Sequence, residues 1–148
     1  MEILKKGDKA PKFELRNQYG EKVSSEDIKG KYLLSFHPLA FTAVCTDQMR
    51  ELERNYDRLM EAGITPFGVS VDAYPSKGVW AKAISVDNVQ LLSDFNPTGG
   101  LGKELGIFVE KAGIDARSAF VIEGDKILWS RLYEESELPR VDDFLKEM

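Results

Sequence analysis

The chain has 148 residues, a length typical of one domain, and 43% of them are hydrophobic, which is enough for a packed core. Its 25 acidic and 20 basic residues give a net charge of −5, which argues against nucleic acid or an anionic membrane as a partner. One cysteine and one histidine exclude an intrachain disulfide, a cysteine-based metal cluster and a multi-histidine metal site. We therefore expect residues 1–148 to form a single domain.

The N-terminal stretch MEILKKGDKA lacks the apolar segment of a secretory signal peptide. No run of the sequence approaches the roughly 18 apolar residues that a membrane span needs. The sequence therefore predicts a protein of the reducing cytoplasm that makes no membrane contact.

The first predicted elements are strands. Lys12–Arg16 and Glu21–Val23 flank a stretch of turn residues, which predicts an N-terminal β-hairpin. The apolar run Lys31–His37 predicts a buried strand, and Pro38 ends it. The chain is thus expected to begin with a hairpin and then to enter the core.

The pattern changes after this strand. From Thr42 to Gly63 apolar residues recur with a helical period, which predicts one helix over that range. Further strands are predicted at Pro66–Val71, Val89–Leu92, Ser118–Ile122 and Ile127–Arg131, and further helices at Ser76–Ile84, Gly99–Leu105 and from Leu138 to Met148. This order suits an α/β fold in which a central mixed β-sheet is flanked by helices. A thioredoxin-like fold with an N-terminal β-hairpin extension is one such arrangement.

Cys45 carries the strongest chemical signal. The predicted helix begins near Thr42, whose hydroxyl is a good N-cap, and Cys45 follows three residues later in the first turn. Unpaired backbone N–H groups and the positive end of the helix dipole favour the thiolate, which is the nucleophile. Cys45 also shares one helical face with Met49 and Leu52, as a core cysteine would. Spacing alone leaves both interpretations open.

Other chemistries find less support. Gln48 stands where a Cys-x-x-Cys oxidoreductase would have its second cysteine. His37 is the one possible base for a cysteine protease, and its position at a strand end favours a structural role. Asp72, Asp94 and Asp115 have no spacing that pairs them as a metal or acid–base site, so we expect them to form turns and caps.

The pattern Pro-x-x-x-Thr-x-x-Cys, which runs from Pro38 to Cys45, resembles the signature of the peroxiredoxins, thiol peroxidases of thioredoxin-like fold. The resemblance continues in order through Gly68–Asp72, Leu91–Asp94 and Ala116–Ile122. Two shorter segments, Pro38–Thr42 and Ser93–Pro97, are similar to the one-cysteine subgroup of alkyl hydroperoxide reductase E. Because these motifs follow one another in the family's order, they favour a catalytic role for Cys45 over that of a core cysteine.

The resemblance implies roles for four residues. Cys45 would be the peroxidatic nucleophile, and Pro38 would shield its sulfur from water. Thr42 would hydrogen-bond the thiolate and the peroxide. Arg117, from a distant strand, would stabilise the thiolate and oppose the charge that develops on the departing oxygen. Trp80 resembles a family aromatic near the arginine, and a core tryptophan is an equal alternative.

The resemblance also implies a one-cysteine catalytic cycle. Hydrogen peroxide or an organic hydroperoxide would oxidise Cys45 to a sulfenic acid. Because the chain has no second cysteine, an external thiol or a thioredoxin- or glutaredoxin-like protein would reduce it, with no flavin, haem or metal as cofactor. A homodimer that packs through the Leu39–Phe41 loop is expected. The alternative is a redox sensor or chaperone of the same fold that relays Cys45 oxidation to a partner protein.

Overall fold

A computed structural model describes residues 2–148 of the chain, which contain nine β-strands and five α-helices. The strands are β1 (Glu14–Arg16), β2 (Lys22–Ser24), β3 (Lys31–Phe36), β4 (Ile64–Ser70), β5 (Gln90–Ser93), β6 (Phe108–Val109), β7 (Ile114–Asp115), β8 (Ser118–Glu123) and β9 (Lys126–Leu132). The α-helices are α1 (Ala43–Arg54), α2 (Tyr56–Glu61), α3 (Tyr74–Ala83), α4 (Gly100–Leu105) and α5 (Asp142–Leu145). A single 3₁₀ turn spans Ser25–Asp27 in the described residues.

Seven strands form one mixed sheet in the order β2-β1-β5-β4-β3-β8-β9. Strands β3, β4 and β5 are parallel, and β8 and β9 continue the sheet in antiparallel pairing. The β1–β2 hairpin joins the other edge through β5. The predicted central mixed sheet with an N-terminal hairpin is therefore confirmed. The short β6–β7 pair forms a second sheet that the sequence pattern did not predict.

Helices cover both faces of the central sheet because its strands are apolar on both sides. On β3, Leu33 packs into one core with side chains of α1, α2, α3 and α5. Its neighbours Tyr32 and Leu34 point to the opposite face and pack into a second core with α4. This alternation follows from the period of two in a strand. It explains why Lys31–Phe36 is buried almost throughout.

Helix α1 lies directly on the sheet at β4. A Cβ atom at Gly68 would overlap the Met49 sulfur, so only glycine allows this close approach. Met49 follows Cys45 by one helical turn, and both side chains are fully buried in the same core. The contact holds α1 close to β4.

Two predicted helices differ from the structure. The predicted helix over 42–63 is interrupted at Asn55, between α1 and α2, where the Asn55 side chain donates to the Glu51 carbonyl at 2.8 Å. Such side-chain bonds compete with regular helix geometry. The closing helix is confined to α5, since Pro139 favours an extended residue before it. None of the helices within residues 2–148 has the length and apolar character that a membrane crossing requires.

Candidate active site

Cys45 is the third residue of α1, and its side chain is completely buried. Helix α1 begins without a side-chain cap, because the residue before it, Thr42, makes no such hydrogen bond. The backbone N–H groups of the first turn are therefore not occupied by a side-chain cap. The predicted position of Cys45 in the first turn is confirmed.

Arg117 lies against the sulfur. Its Nη1 atom is 3.4 Å from Cys45 Sγ and donates to Gln48 Oε1 at 2.6 Å. Its Nε atom donates to the carbonyl of Glu135 at 3.1 Å, and the side chain is only 5% exposed. Because Arg117 directly precedes β8, the antiparallel pairing of β8 with β3 delivers it to the start of α1. A fixed guanidinium thus faces the only cysteine of the chain.

Gln48 orients this guanidinium. It lies one residue before Met49 on α1, is 1% exposed, and its Nε2 atom donates to Ser35 Oγ at 2.8 Å and to the Phe36 carbonyl at 2.9 Å. Its Oε1 atom is thereby left to accept from Arg117. An amide can donate and accept at once, whereas an ionised carboxylate only accepts. Sequence reasoning did not predict that Gln48 would bind Arg117.

Thr42 and Pro38 lie on the loop that enters α1. The Thr42 hydroxyl donates to the Leu39 carbonyl at 2.9 Å, so the expected side-chain cap of the helix by this hydroxyl is wrong. Pro38 is half-buried just after β3. Between them Phe41 has a φ of 70°, a left-handed conformation that costs energy for a bulky residue. The structure brings Cys45 and Arg117 into contact, while the Thr42 side chain bonds its own loop.

Apolar side chains surround this loop. Phe41 is 59% exposed and Leu39 is 41% exposed. The Phe41 ring lies 6.2 Å from that of Trp80, which is buried and in turn lies 5.2 Å from the ring of His37. Trp80 Nε1 donates to Thr46 Oγ1 at 3.4 Å. Trp80 is thus a core residue that supports the active-site loop from below.

A second polar group lies behind the loop. Lys77 on α3 is fully buried, and its Nζ atom donates to Ser70 Oγ at 2.6 Å and lies 3.1 Å from His37 Nε2. Burial, together with the nearby Lys77 and Arg117, holds the pKa of His37 well below its usual value, so His37 is neutral at pH 7. The expected structural role of His37 is in keeping with this environment. The sequence pattern did not identify Lys77 as a buried residue, since a lysine on a helix is usually exposed.

The aspartates differ from the expectation that they form only turns and caps. Asp94 does cap α4, where its carboxylate accepts the N–H groups of Leu101 and Gly102 at 2.9 Å. Asp115 is fully buried on β7 beside Asp94, and burial, followed by the Asp94 carboxyl, raises its pKa to about 9. Asp72 accepts the N–H of Ala40 at 2.8 Å and so anchors the active-site loop. Among residues 2–148, no three His, Cys, Asp or Glu side chains are grouped to hold a metal ion.

Comparison with known proteins gives three consistent findings. A model of the AhpC/TSA family matches residues 6–130. Alkyl hydroperoxide reductase E of Mycobacterium tuberculosis is 34% identical over 128 residues, which cover 85% of this chain and 83% of that protein. The peroxiredoxin of Pyrococcus horikoshii is 31% identical over 142 residues, which cover 90% of this chain and 65% of that protein.

Solved structures show the same fold. The crystal structure of AhpC from Enterococcus faecalis matches with a TM-score of 0.88 and 22% identity, over 99% of this chain and 90% of that one. Peroxidoxin BcpB from Mycobacterium tuberculosis matches with a TM-score of 0.79 and 27% identity, over 87% of this chain and 86% of that one. The thioredoxin-like α/β fold implied by the sequence resemblance is confirmed.

Proposed function

This chain belongs to the AhpC/TSA family and is a thiol-dependent peroxidase, and we propose that Cys45 is its peroxidatic nucleophile and Arg117 the residue that activates it. The observation that carries the proposal is the 3.4 Å contact between Arg117 Nη1 and Cys45 Sγ, two buried side chains at the start of a helix. A guanidinium and helix-start N–H groups both stabilise a thiolate there. The same positive groups oppose negative charge that develops during the reaction.

In the proposed step, the Cys45 thiolate attacks the terminal oxygen of a hydroperoxide. The S–O bond forms and the O–O bond breaks, so the sulfur is oxidised to a sulfenic acid and the peroxide is reduced. The leaving oxygen takes up one proton and departs as water or an alcohol. Thr42, on the loop beside the helix start, would meet the peroxide after its hydroxyl turns from the Leu39 carbonyl. Pro38 would limit the access of water to the sulfur.

The reductant must come from another molecule. Since Cys45 is the single cysteine of the chain, an external thiol or a thioredoxin- or glutaredoxin-like protein would reduce its sulfenic acid. A reducing compartment such as the cytoplasm supplies such donors. The name of the mycobacterial relative suggests alkyl hydroperoxides as substrates, beside hydrogen peroxide. We further propose that residues 1–148 act as one domain and that two copies pair through the exposed side chains of Leu39 and Phe41.

A single-turnover experiment tests the central proposal. Reduced protein is mixed with hydrogen peroxide or with an organic hydroperoxide in a stopped-flow instrument, and loss of the thiol is followed with time. We expect oxidation far faster than that of a free thiol, with a gain of one oxygen in the intact mass. The Cys45→Ser variant should show neither. Oxidation of the wild type at the rate of a free thiol would contradict the assignment.

A further inference from the structure

A cavity of about 470 Å³ lies between the N-terminal hairpin and the start of α3. Residues of β1, β2 and β5 line it, together with residues 73–75 at the start of α3 and with Phe95 and Asn96 after β5. Neither Cys45 nor Arg117 lines this cavity, so it is separate from the peroxidase site. A volume of this size is typical of a site for a small organic molecule.

Two basic side chains lie opposite each other at this cavity. Arg16 of β1 is the register partner of Lys22 of β2, so the two side chains share one face of the sheet, and both line the cavity. Like charges in directly opposite positions destabilise a strand pair. Within residues 2–148 neither side chain forms an ion pair, not even with Glu14, which also lines the cavity. A bound anion would relieve the repulsion between them.

The guanidinium of Arg16 is held in place but retains free donors. Its Nη1 atom donates to the Gly20 carbonyl at 2.7 Å, at the turn of the hairpin. A guanidinium has five N–H groups in a rigid fork that matches the geometry of a carboxylate. The contact with Gly20 therefore fixes the side chain of Arg16 and leaves other N–H groups for a ligand.

A buried hydroxyl without a partner lies on the same face of the sheet. Ser93 of β5 is the register partner of Arg16 on the other side of β1, and it lines the cavity. The residue is 6% exposed, and its Oγ atom has no hydrogen-bond partner among residues 2–148. A buried polar group without a partner is unfavourable. Because a hydroxyl can donate to a carboxylate oxygen, an anionic ligand would supply the partner that Ser93 lacks.

Aromatic side chains complete the lining. Tyr74 and Phe95 are both exposed large hydrophobic residues. The Tyr74 ring lies against the turn of the hairpin, where a Cβ atom at Gly20 would come within 2.9 Å of it, and Gly20 has a φ of 81° that favours glycine. Exposed aromatic rings beside a few polar groups are typical of a pocket that binds the apolar body of a ligand.

We propose that this cavity is a binding site for a small organic carboxylate with a planar apolar body. The carboxylate would accept hydrogen bonds from Arg16, Lys22 and Ser93, and the apolar body would lie against Tyr74 and Phe95. An inorganic anion would leave the aromatic rings in contact with water, and a neutral apolar molecule would leave the two cations uncompensated. The proposal does not depend on the reaction of Cys45.

Binding of naphthoate, measured by isothermal titration calorimetry, tests the ligand class. Naphthoate combines a carboxylate with a flat apolar body, naphthamide has the same shape without the charge, and acetate has the charge without the body. We expect the wild type to bind naphthoate with a Kd below about 1 mM. Naphthamide and acetate should each bind about tenfold more weakly or less.

Variants test the location of the probe. Replacing both cations, by Arg16→Gln together with Lys22→Gln, should weaken naphthoate binding by about tenfold and leave naphthamide binding unchanged. Tyr74→Ala should weaken the binding of both ligands. The matched control is Lys111→Gln together with Lys146→Gln, which removes the same charge at exposed positions outside the cavity and should bind both ligands as the wild type does.

Three results would overturn the proposal. The first is the absence of naphthoate binding by the wild type at about 10 mM, whether the cavity stays empty or is covered by a second copy of the chain. The second is an unchanged affinity for naphthoate when Arg16 and Lys22 are both replaced, in a variant that circular dichroism shows to be folded. These two side chains are exposed, so this variant decides alone if Tyr74→Ala does not fold.

The third result concerns Arg117, a buried cation that could attract the same carboxylate. An unchanged affinity for naphthoate in Arg117→Met supports binding in the cavity, whereas loss of binding would place the probe at the Cys45 site and overturn the proposal. Because all binding is measured without peroxide, failure of the peroxidase assignment and failure of this proposal are separate outcomes.

Discussion

Two buried sites of this protein hold ionisable side chains in opposite ways. At Cys45, the guanidinium of Arg117 lies 3.4 Å from the sulfur and donates a hydrogen bond of 2.6 Å to Gln48, so opposite charge is in place beside the group that we propose to react as a thiolate. At the Asp94–Asp115 pair, two carboxyl groups face each other in the interior, and neither oxygen of Asp115 accepts a hydrogen bond from the described residues. Asp115 therefore stays neutral by keeping a proton, whereas the proposed function requires Cys45 to carry a negative charge.

The difference shows how burial can serve reactivity or suppress it. A buried anion survives where opposite charge and hydrogen-bond donors are already in place, and it is then less solvated and ready to react. Without them the group binds a proton and becomes a neutral part of the core. If the opposite charge beside Cys45 is removed, the residue should become a neutral, less reactive part of the core, as Asp115 is. If Asp115 is replaced by a residue that cannot ionise, the core should be undisturbed.

The largest effect is expected from loss of Arg117. In Arg117→Met the positive charge beside Cys45 Sγ disappears, so both the thiolate and the developing charge on the peroxide lose stabilisation. We expect the single-turnover rate with hydrogen peroxide to fall by about 100- to 1,000-fold. Arg58→Met, at an exposed arginine paired with Asp142, should keep the wild-type rate. If Arg117→Met lowers the single-turnover rate by less than threefold, the helix start alone stabilises the Cys45 thiolate.

A smaller effect is expected at Gln48. Gln48→Leu keeps most of the side-chain volume but removes the acceptor for Arg117 and the donors to Ser35 and Phe36. The guanidinium then loses one of its fixed contacts, and we expect the rate to fall by about tenfold. Asp47→Ala, at the exposed neighbouring position of α1, controls for changes to the helix. An unchanged rate in Gln48→Leu would show that the Glu135 carbonyl is sufficient to hold Arg117.

The sequence predicted the framework of the Cys45 site well and the rest of its surroundings poorly. The strands at β3, β4 and β8 are predictable because apolar runs buried on two faces are visible in one sequence. Cys45 was found because a helix start and a lone cysteine lie close together in the chain. Arg117, in contrast, reaches Cys45 through the pairing of β8 with β3, and only the resemblance to a family selected it.

The buried polar residues cannot be predicted from local sequence patterns. Lys77 and Asp115 carry residue types that are exposed in most proteins, and no local pattern distinguishes a buried one. The break at Asn55 depends on a side-chain bond to Glu51 that competes with a helix which the apolar period still supports. These features arise from contacts between distant segments or from small energy differences, neither of which a local pattern records.

The smallest effect, and the sharpest test of the comparison, concerns Asp115. Its pKa in the folded protein, about 9, lies above its ordinary value of 3.8, chiefly because of burial. Between these values the folded protein binds a proton that the unfolded chain does not, so the stability from this group is fully present below 3.8 and is lost as the pH rises through about 9. Asp115→Asn cannot ionise and lacks this dependence.

The free energy of unfolding from urea denaturation at pH 5 and pH 8 measures the difference. Relative to the wild type, Asp115→Asn should be more stable at pH 8 than at pH 5 by more than about 1 kcal/mol. The depressed pKa of Lys77 affects wild type and variant alike and cancels to first order in this comparison. Asp57→Asn, at an exposed position of α2, should show no such change with pH. If the free energy of unfolding of Asp115→Asn differs from that of the wild type by the same amount at both pH values, Asp115 is ionised in the folded protein. The interior would then stabilise its charge, as we propose that it does at Cys45.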